Sequence, residues 1–459
     1  MHDSTPTKSP AKICIIGAGI SGLAHAWELK RRNQECIVLE KSEQPGGAIH
    51  SHRIDHYIAE EGPHSIQASS QEVKDFINSI PDLQSSVIEA NPEAKNRFIV
   101  RAGKLHAVPL TPLSMYRSKL WSFKGKLRAL KEWFIKPALA DSEESVADFA
   151  RRRLGDELYN YGINPMVAGI HAGDPEKLSL LHAFPKLYKL EQEQGGLLRG
   201  IKQKGRKTKG QILSFENGMG ELPEKLASAL GKCLHTSVSI KTIRKSDEGW
   251  TIVWSDSEDN ERTDSFEQLI LAVPAHQLLN LPFDSAIRDI MIGFRDIEYT
   301  PVSVLSMGFK RTEIEHPLDG FGFLVPECER SKILGVLFPS STFPKRAYED
   351  EVLLAAFLGG TRNPELAAKE TETLKAIVLH ELEKLLGLHG QPTFLHHKYW
   401  KRGIPQYTLG YGKQLKKMEQ LEMNYPGLKL AGNYRTGVSV TACIEAALSY
   451  SGDPTFLKI

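Results

Sequence analysis

The sequence has few cysteines and almost no net charge, and each shortage excludes a class of protein. Its 459 residues include five cysteines, which are scattered and form no C-x-x-C pair. Such cysteines are typical of buried thiols in a reducing compartment rather than of a disulfide framework or a zinc site, so we expect no metal. The formal charge of +2 at pH 7 provides no bulk attraction to nucleic acid. The length suits a globular protein of two or three domains.

Segments that would carry the chain into or across a membrane are also missing. No stretch approaches the roughly 18 consecutive apolar residues that a spanning helix needs. The first eleven residues are polar and include Pro6 and Pro10, so they lack the apolar core of a secretory signal. We therefore expect a polar leader and a cytoplasmic protein.

The clearest pattern in the chain lies between residues 12 and 47. An apolar strand at Ile13–Ile16 leads into Gly-Ala-Gly-Ile-Ser-Gly at residues 17–22, and a helical pattern follows. A second apolar strand ends on Glu40, 18 residues after Gly22. This order predicts a βαβ unit in which a helix N-terminus receives a pyrophosphate and the acid binds a ribose. A purely structural turn is the alternative.

Two further features favour FAD over NAD as the dinucleotide. A second glycine pair, Gly46 and Gly47, follows Glu40, as it does in many FAD enzymes. Near the C-terminus, the stretch 437–450 predicts a helix that begins on small residues and could approach a phosphate or a flavin ring. For that helix a structural role alone is the alternative.

A basic segment interrupts this pattern. Residues 97–136 contain ten lysines and arginines and one acid, Glu132, and apolar residues including Trp121 and Trp133 lie between them. This mixture predicts a pair of helices that lies on anionic lipid. A helical domain with a solvated basic face is the alternative, and no nucleic-acid motif accompanies the charge. A second basic run at 199–209 predicts a mobile loop with another anionic contact.

Six stretches together resemble the FAD-dependent protoporphyrinogen oxidases of haem and chlorophyll synthesis, within the flavin amine oxidase superfamily. The stretches are EEGPHS at 60–65, VAGIHAGDP with LS at 167–179, FGFLVP at 321–326, FLGGTRN at 357–363, YW with PQY at 399–407, and AGNYRTGVSV at 431–440. The resemblance covers about residues 12 to 450 and is specific for porphyrinogen oxidation rather than amine oxidation.

The resemblance implies an α/β fold in three parts. A Rossmann-like FAD-binding domain comprises residues 1–95, 211–295 and 405–459, because the apolar strand near 269–273 returns the chain to the parallel sheet. A mixed-sheet substrate-binding domain comprises 96–111 and 296–404. A helical, membrane-binding domain comprises 112–210.

The resemblance also implies which residues form the site. Non-covalent FAD is expected to contact Gly17, Ala18, Gly19, Ile20, Ser21, Gly22, Glu40, Gly46, Gly47, Gly62, Pro63, His64, Ser65, Val238, Trp400, Gly432, Val438, Ser439 and Val440. Catalytic contacts are expected from Gly169, Arg101 and Phe357, and further pocket walls from Arg97, Leu324 and Leu337. Family members often have an arginine where Gln44 stands, so one charge contact to the pyrophosphate is absent here.

The implied reaction is the oxidation of protoporphyrinogen IX to protoporphyrin IX, with oxygen reoxidising the flavin to give hydrogen peroxide. A peripheral membrane contact and a homodimer are further expectations. Two rivals stay open: a coproporphyrinogen III oxidase with the same chemistry, and a redox-silent FAD protein. An amine oxidase is a lesser rival, because no covalent flavin-attachment motif is recognisable.

Overall fold

Within residues 12–109, 111–139, 142–204 and 210–450, which the computed structural model describes, the chain forms 20 strands in five sheets. The strands are β1 (Ile13–Ile16), β2 (Cys36–Leu39), β3 (Ser51–Ile54), β4 (Tyr57–Glu60), β5 (Ile66–Ala68), β6 (Val87–Glu89), β7 (Asn96–Arg101), β8 (Lys104–Ala107), β9 (Gln211–Phe215), β10 (Leu234–His235), β11 (Ser239–Ser246), β12 (Gly249–Ser255), β13 (Glu261–Phe266), β14 (Gln268–Leu271), β15 (Tyr299–Lys310), β16 (Gly320–Leu324), β17 (Ile333–Leu337), β18 (Glu351–Gly359), β19 (Phe394–Pro405) and β20 (Leu428–Leu430). The predicted leader at 1–11 lies outside the described residues.

The helices cover these sheets and build a separate helical segment between β8 and β9. They are α1 (Ile20–Arg31), α2 (Gln71–Asn78), α3 (Pro112–Arg117), α4 (Phe123–Leu130), α5 (Val146–Leu154), α6 (Asp156–Leu158), α7 (Asn164–His171), α8 (Leu180–Ala183), α9 (Pro185–Gln194), α10 (Leu197–Lys204), α11 (Glu221–Leu230), α12 (Ala275–Leu278), α13 (Ser285–Met291), α14 (Pro339–Thr342), α15 (Pro364–Ala367), α16 (Thr371–Leu386), α17 (Tyr411–Asn424), α18 (Asn433–Thr436) and α19 (Val440–Tyr450).

A five-stranded parallel sheet carries the predicted dinucleotide unit. Its strand order is β10-β2-β1-β14-β20, and every neighbouring pair runs parallel. The strand predicted near 269–273 is confirmed as β14, which pairs with β1. Helix α1 packs its apolar side against α11 and α19 in one core. The βαβ unit and the return of the chain to its sheet are therefore both present.

A seven-stranded mixed sheet forms the second layer, in the order β19-β15-β18-β17-β16-β7-β8. Helix α16 covers one face, where Leu374, Val378 and Leu382 pack on the alternate residues of the central strands. Helix α7 covers part of the opposite face through Ala168, and Ala172, which follows the helix, joins the same cluster. Because strand residues alternate between faces, the second face keeps a separate set of side chains for the site.

The helical segment departs from the predictions in three places. The predicted helix at 157–166 is wrong in detail, because a π-helical turn at Tyr159–Ile163 separates α6 from α7. The predicted loop at 199–209 is wrong for 199–204, which belong to α10, whereas 205–209 lie outside the described residues. Trp121 is buried with Leu120 rather than available to lipid. The membrane-binding role and the three domain ranges stay predictions.

The single acid of the basic segment is also buried. Glu132 pairs with Arg153 at 3.0 Å, and both side chains are fully buried. The basic segment therefore presents cations, but not its acid, to the surface. None of the helices within the described ranges combines the length and apolar composition that crossing a bilayer requires.

Candidate flavin and substrate site

The turn from β1 into α1 forms a cradle that fits a pyrophosphate. Gly17 has φ +103°, which favours glycine, and a Cβ at Gly22 would overlap the carbonyl oxygen of Gly17. Helix α1 begins without a side-chain cap and without an acid in its first turn. Its first N–H groups and its positive dipole end are therefore free to face phosphate oxygens.

Glu40 and the second glycine pair close the other side of this cradle. The carboxylate of Glu40 accepts hydrogen bonds from the Ala18 N–H at 2.6 Å and the Ser42 N–H at 2.8 Å. A Cβ at Gly19 would meet the Cα of Gly47 at 3.9 Å, with no nearer described atom, so the backbone leaves room for a phosphate. Glu40 keeps lone pairs for a ribose, since a carboxylate accepts about four hydrogen bonds.

Further predicted FAD contacts lie at the ends of the neighbouring strands and at the start of α19. Val238 donates its N–H to the Glu40 carbonyl at 2.9 Å, at the end of β2. Ser439 accepts from the Ala442 N–H at 3.0 Å and so caps α19, which packs on α1. The predicted C-terminal helix is thus confirmed, and its N-terminus follows Val438 and Ser439. Gly432 directly precedes α18. Val440 is the first residue of α19.

The loop at Gly62–Ser65 joins the cradle to the seven-stranded sheet. A Cβ at Gly62 would overlap the carbonyl oxygen of Ala48, so this loop packs on the turn at Gly46–Gly47. The His64 ring lies 5.6 Å from the Phe357 ring, and its Nδ1 is 3.1 Å from the Gly62 carbonyl oxygen. Burial lowers the pKa of His64 to about 4, which keeps its imidazole neutral. The loop therefore lies between the dinucleotide cradle and the sheet face.

The register of the sheet gathers the predicted pocket residues on that face. Leu324 pairs with Gly335, and Gly335 pairs with Phe357, so these three lie in one row across β16, β17 and β18. Leu337 lies two residues from Gly335 and shares its face. Gly335 has no side chain, and the Leu324 side chain uses that room, because a Cβ at Gly335 would lie 3.0 Å from a Leu324 methyl carbon. Leu324, Leu337 and Phe357 are all half-buried, as expected for walls of an open pocket.

Helix α7 brings Gly169 against this row. A Cβ at Gly169 would lie 2.8 Å from one Leu324 methyl carbon and 3.2 Å from the other. The helix can therefore approach the sheet face closely only because residue 169 lacks a side chain. Its backbone lies beside the space that Leu324 and Phe357 border.

The two predicted arginines have different surroundings. Arg101 donates to Glu157 at 2.7 Å and to the Leu120 carbonyl, and its guanidinium lies 4.5 Å over the Tyr161 ring. Arg97 is exposed and lies 4.5 Å over Phe321, and it lines a cavity of about 260 Å³ together with Lys95 and Glu89. Among the described residues, Arg101 has a carboxylate partner and Arg97 has none, and both assignments stay predictions.

The sequence analysis predicted Trp400 but missed Glu61, His396 and Lys398 beside the flavin loop. Trp400 donates its indole N–H to the Glu61 carbonyl at 2.6 Å, and Lys398 and His396 contact the Glu61 carboxylate. The alternation along β19 was a usable signal for His396, Lys398 and Trp400, which share one face. Nothing in the sequence placed Glu61 opposite them.

Together, a dinucleotide cradle and an adjoining apolar face with a neighbouring guanidinium define an FAD-dependent oxidoreductase. The chain belongs to the family of flavin-containing amine oxidoreductases, whose model matches residues 20–452. The residues at the cradle fit FAD, the cofactor of this class.

Two curated relatives and one solved structure resemble the chain over nearly its full length. It is 33% identical to the mitochondrial protoporphyrinogen oxidase of Nicotiana tabacum, over 95% of this chain and 93% of the relative. It is 28% identical to the coproporphyrinogen III oxidase of Bacillus subtilis (strain 168), over 94% and 95%. A crystal structure of a candidate protoporphyrinogen oxidase from Exiguobacterium sp. 255-15 matches with a TM-score of 0.82 and 25% identity, covering 98% of this chain and 100% of that one.

Proposed function

We propose that this protein oxidises protoporphyrinogen IX to protoporphyrin IX through FAD, with oxygen as the final electron acceptor. The observation that carries the proposal is the apolar row of Leu324 and Phe357 beside the flavin loop. Such a row suits the flat pyrrole rings of a porphyrinogen. The relatives that share the whole chain length include proteins named for this reaction.

The residues of the site have simple tasks in this reaction. The cradle at Gly17–Gly22 and Glu40 would hold FAD, which would supply two-electron oxidation chemistry, needed three times for each porphyrin. Leu324, Leu337 and Phe357 hold the rings and exclude water. Gly169 gives the Leu324 side chain room against α7 and so sets where Leu324 meets the rings. Arg97 offers a planar fork that suits a propionate and so selects which bridge carbon faces the flavin.

The charge of the sheet face favours protoporphyrinogen over coproporphyrinogen. Protoporphyrinogen has two propionates, whereas coproporphyrinogen has four. Arg101 is committed to Glu157, and Lys398 is committed to Glu61. Of Arg97, Arg101 and Lys398, Arg97 is the one without an ion-pair partner among the described residues, so we assign it to a substrate carboxylate. Coproporphyrinogen III oxidation is the second candidate, because a relative of similar coverage carries that name.

The proposal includes a peripheral contact with anionic membranes from the cytoplasmic side. Nine of the 17 large apolar side chains that are exposed among the described residues fall within 113–139. They are Leu113, Met115, Tyr116, Phe123, Leu127, Leu130, Trp133, Phe134 and Leu139. Exposed cations such as Lys124 and Lys131 lie between them. An apolar surface bordered by lysines suits a headgroup boundary, where an apolar substrate would also be found.

The oxidation is tested with FAD-loaded protein and protoporphyrinogen IX. Without oxygen, the substrate should bleach the flavin absorption. In air, porphyrin fluorescence should appear with hydrogen peroxide at three molecules per porphyrin, as three two-electron steps require. Absence of both signals from FAD-loaded protein would instead support a redox-silent FAD protein.

A further inference from the structure

Three side chains on one face of β19 hold a single residue, Glu61. Lys398 Nζ lies 2.7 Å from Glu61 Oε2, and His396 Nε2 lies 3.1 Å from Glu61 Oε1. Trp400 Nε1 donates to the Glu61 carbonyl at 2.6 Å. The carboxylate and the backbone of Glu61 are thus both held by the same strand.

Glu61 is well protected, and its charge is compensated mainly by Lys398. The Glu61 side chain is 14% exposed and that of Lys398 is 34% exposed. Although burial raises the pKa of Glu61, the hydrogen bond and the charge of Lys398 outweigh it and lower that pKa. Burial lowers the pKa of His396, which favours its neutral form. The ammonium of Lys398 therefore provides the positive charge that the carboxylate needs.

The same cluster contains side chains of metal-ligating type. His52 stacks on His396 with ring centroids 4.0 Å apart, and ligand atoms of His52, Glu61 and His396 lie within 4.8 Å of one another. A divalent cation at this point would be repelled by the ammonium 2.7 Å from Glu61. The arrangement is thus better suited to holding the carboxylate than to binding a metal.

Glu61 directly precedes the loop at Gly62–Ser65, so its position determines where that loop lies. Glu61 precedes Gly62, whose backbone packs so closely on Ala48 that a Cβ would overlap the Ala48 carbonyl oxygen. Ala48 follows Gly47, and a Cβ added at Gly47 would lie 3.1 Å from the Gly19 Cα in the cradle. A shift at Glu61 would therefore move the loop at Gly62–Ser65 relative to the dinucleotide cradle.

We propose that Lys398 is a positioning residue for the flavin, which it serves by holding Glu61 and thereby the loop at Gly62–Ser65. The proposal rests on the FAD cofactor of the family and not on the identity of the porphyrinogen. Its test can therefore fail while the proposed reaction stands, and the reverse also holds.

The test measures FAD binding to apoprotein by titration of flavin fluorescence. Replacing Lys398 by methionine (Lys398→Met) keeps the length of the side chain but removes its charge. We expect the FAD dissociation constant to rise about tenfold, as loss of one charge-assisted hydrogen bond implies, and the visible flavin spectrum to shift. Lys398→Arg should restore both properties to those of the parent protein.

Two controls separate positioning from a general loss of stability. Lys401 lies on the same strand and is exposed, so Lys401→Met should leave FAD binding unchanged. Thermal unfolding of the Lys398→Met apoprotein should stay within about 2 °C of the parent. Because Lys398 acts through Glu61, Lys398→Met should add little to the loss caused by Glu61→Gln. The proposal is overturned if Lys398→Met leaves the FAD affinity and the flavin spectrum unchanged, or if Lys398→Arg fails to restore them. It is also overturned if the unfolding temperature of the Lys398→Met apoprotein falls by more than about 2 °C. A third contrary result would be losses of FAD affinity that add when Lys398→Met and Glu61→Gln are combined.

Discussion

The side chain of Leu324 lies directly on the backbone of Gly169. Both methyl carbons would be within 3.2 Å of a Cβ at position 169. This contact joins helix α7 to the sheet face that carries Phe357, so it sets the width of the space between them. A residue with a side chain at 169 would have to move Leu324 toward Phe357.

We expect Gly169→Ala to weaken substrate binding without unfolding the protein. The methyl ends of Leu324 can rotate away, so the fold should persist while Leu324 enters the pocket. Steady-state assays should show KM for protoporphyrinogen raised about tenfold with FAD content unchanged. Gly162→Ala is the matched control, because its Cβ would meet Trp121 at an ordinary 3.8 Å. A parent-like KM for Gly169→Ala would contradict this account of the pocket.

Arg97 and Arg101 should respond differently to the same change. Arg97→Met should raise KM roughly 10- to 100-fold through loss of a charge-assisted contact with a propionate. Arg101→Met should instead lower the free energy of unfolding by about 1–2 kcal/mol, because it leaves the half-buried Glu157 without its partner. Kinetics and urea unfolding of both variants check this. The reverse result would make Arg101 the substrate ligand.

Vesicle flotation tests the membrane contact. Phe123 and Phe134 are 76% and 83% exposed beside lysines, so Phe123→Ser with Phe134→Ser should reduce binding to anionic vesicles several-fold. Added salt should weaken binding of the parent protein, because screening reduces the attraction to lysines. Met423→Ser changes an equally exposed side chain elsewhere and should have no effect. A parent protein that stays unbound at low salt would remove the contact.

The buried ion pair of the helical segment should dominate its stability. Arg153 pairs with both Glu132 and Glu191, and all three side chains are almost fully buried. Arg153→Met should lower the free energy of unfolding by about 3–5 kcal/mol, because it leaves the buried Glu132 without an ion-pair partner, whereas Glu191 keeps Arg152. The comparison is Lys345→Met, whose partner Glu216 is exposed, with an expected loss below about 1 kcal/mol. Urea unfolding measures both, and equal losses would be inconsistent with this assignment.

Acid should destabilise the protein through His25 of α1. His25 is buried and its Nδ1 lies 2.7 Å from the Ser21 carbonyl oxygen. Burial lowers its pKa to about 4, below the value of about 6.5 in an unfolded chain. The uncharged form therefore stabilises the fold above pH 6.5, and up to about 3 kcal/mol is lost as the pH falls from 6.5 to 4. Unfolding of His25→Gln across this range should show a shallower acid slope than the parent, and an unchanged slope would exclude His25 as the cause.

Local sequence order predicted the parts of the fold that depend on neighbouring residues. The unit from β1 through α1 to Glu40 is contiguous, so its glycines, helix and acid could be recognised together. The return of β14 to the same sheet followed from its apolar run. The register of β19 was harder, since the contact between Glu61 and Lys398 joins residues that are more than 300 positions apart.

Other parts could not be predicted because they depend on competition between distant partners. Arg97 and Arg101 carry the same charge and are four positions apart on β7, so the sequence puts both on the same face of the strand. Only the position of Glu157, beside the π-helical turn, commits Arg101 to the helical segment. Likewise, the basic residues at 199–204 suggested a loop, but Leu197 packs with Phe149 and the segment forms α10. Burial of Leu197 outweighs the local repulsion between cations.

The central claim is most directly tested by comparing two porphyrinogens on the same FAD-loaded protein. Porphyrin fluorescence in air gives kcat/KM for protoporphyrinogen IX and for coproporphyrinogen III. The uncommitted Arg97 and the apolar row of Leu324 and Phe357 predict preference for protoporphyrinogen IX. Preference for coproporphyrinogen III would contradict the assignment of the substrate, and oxidation of neither would contradict the assignment of the reaction.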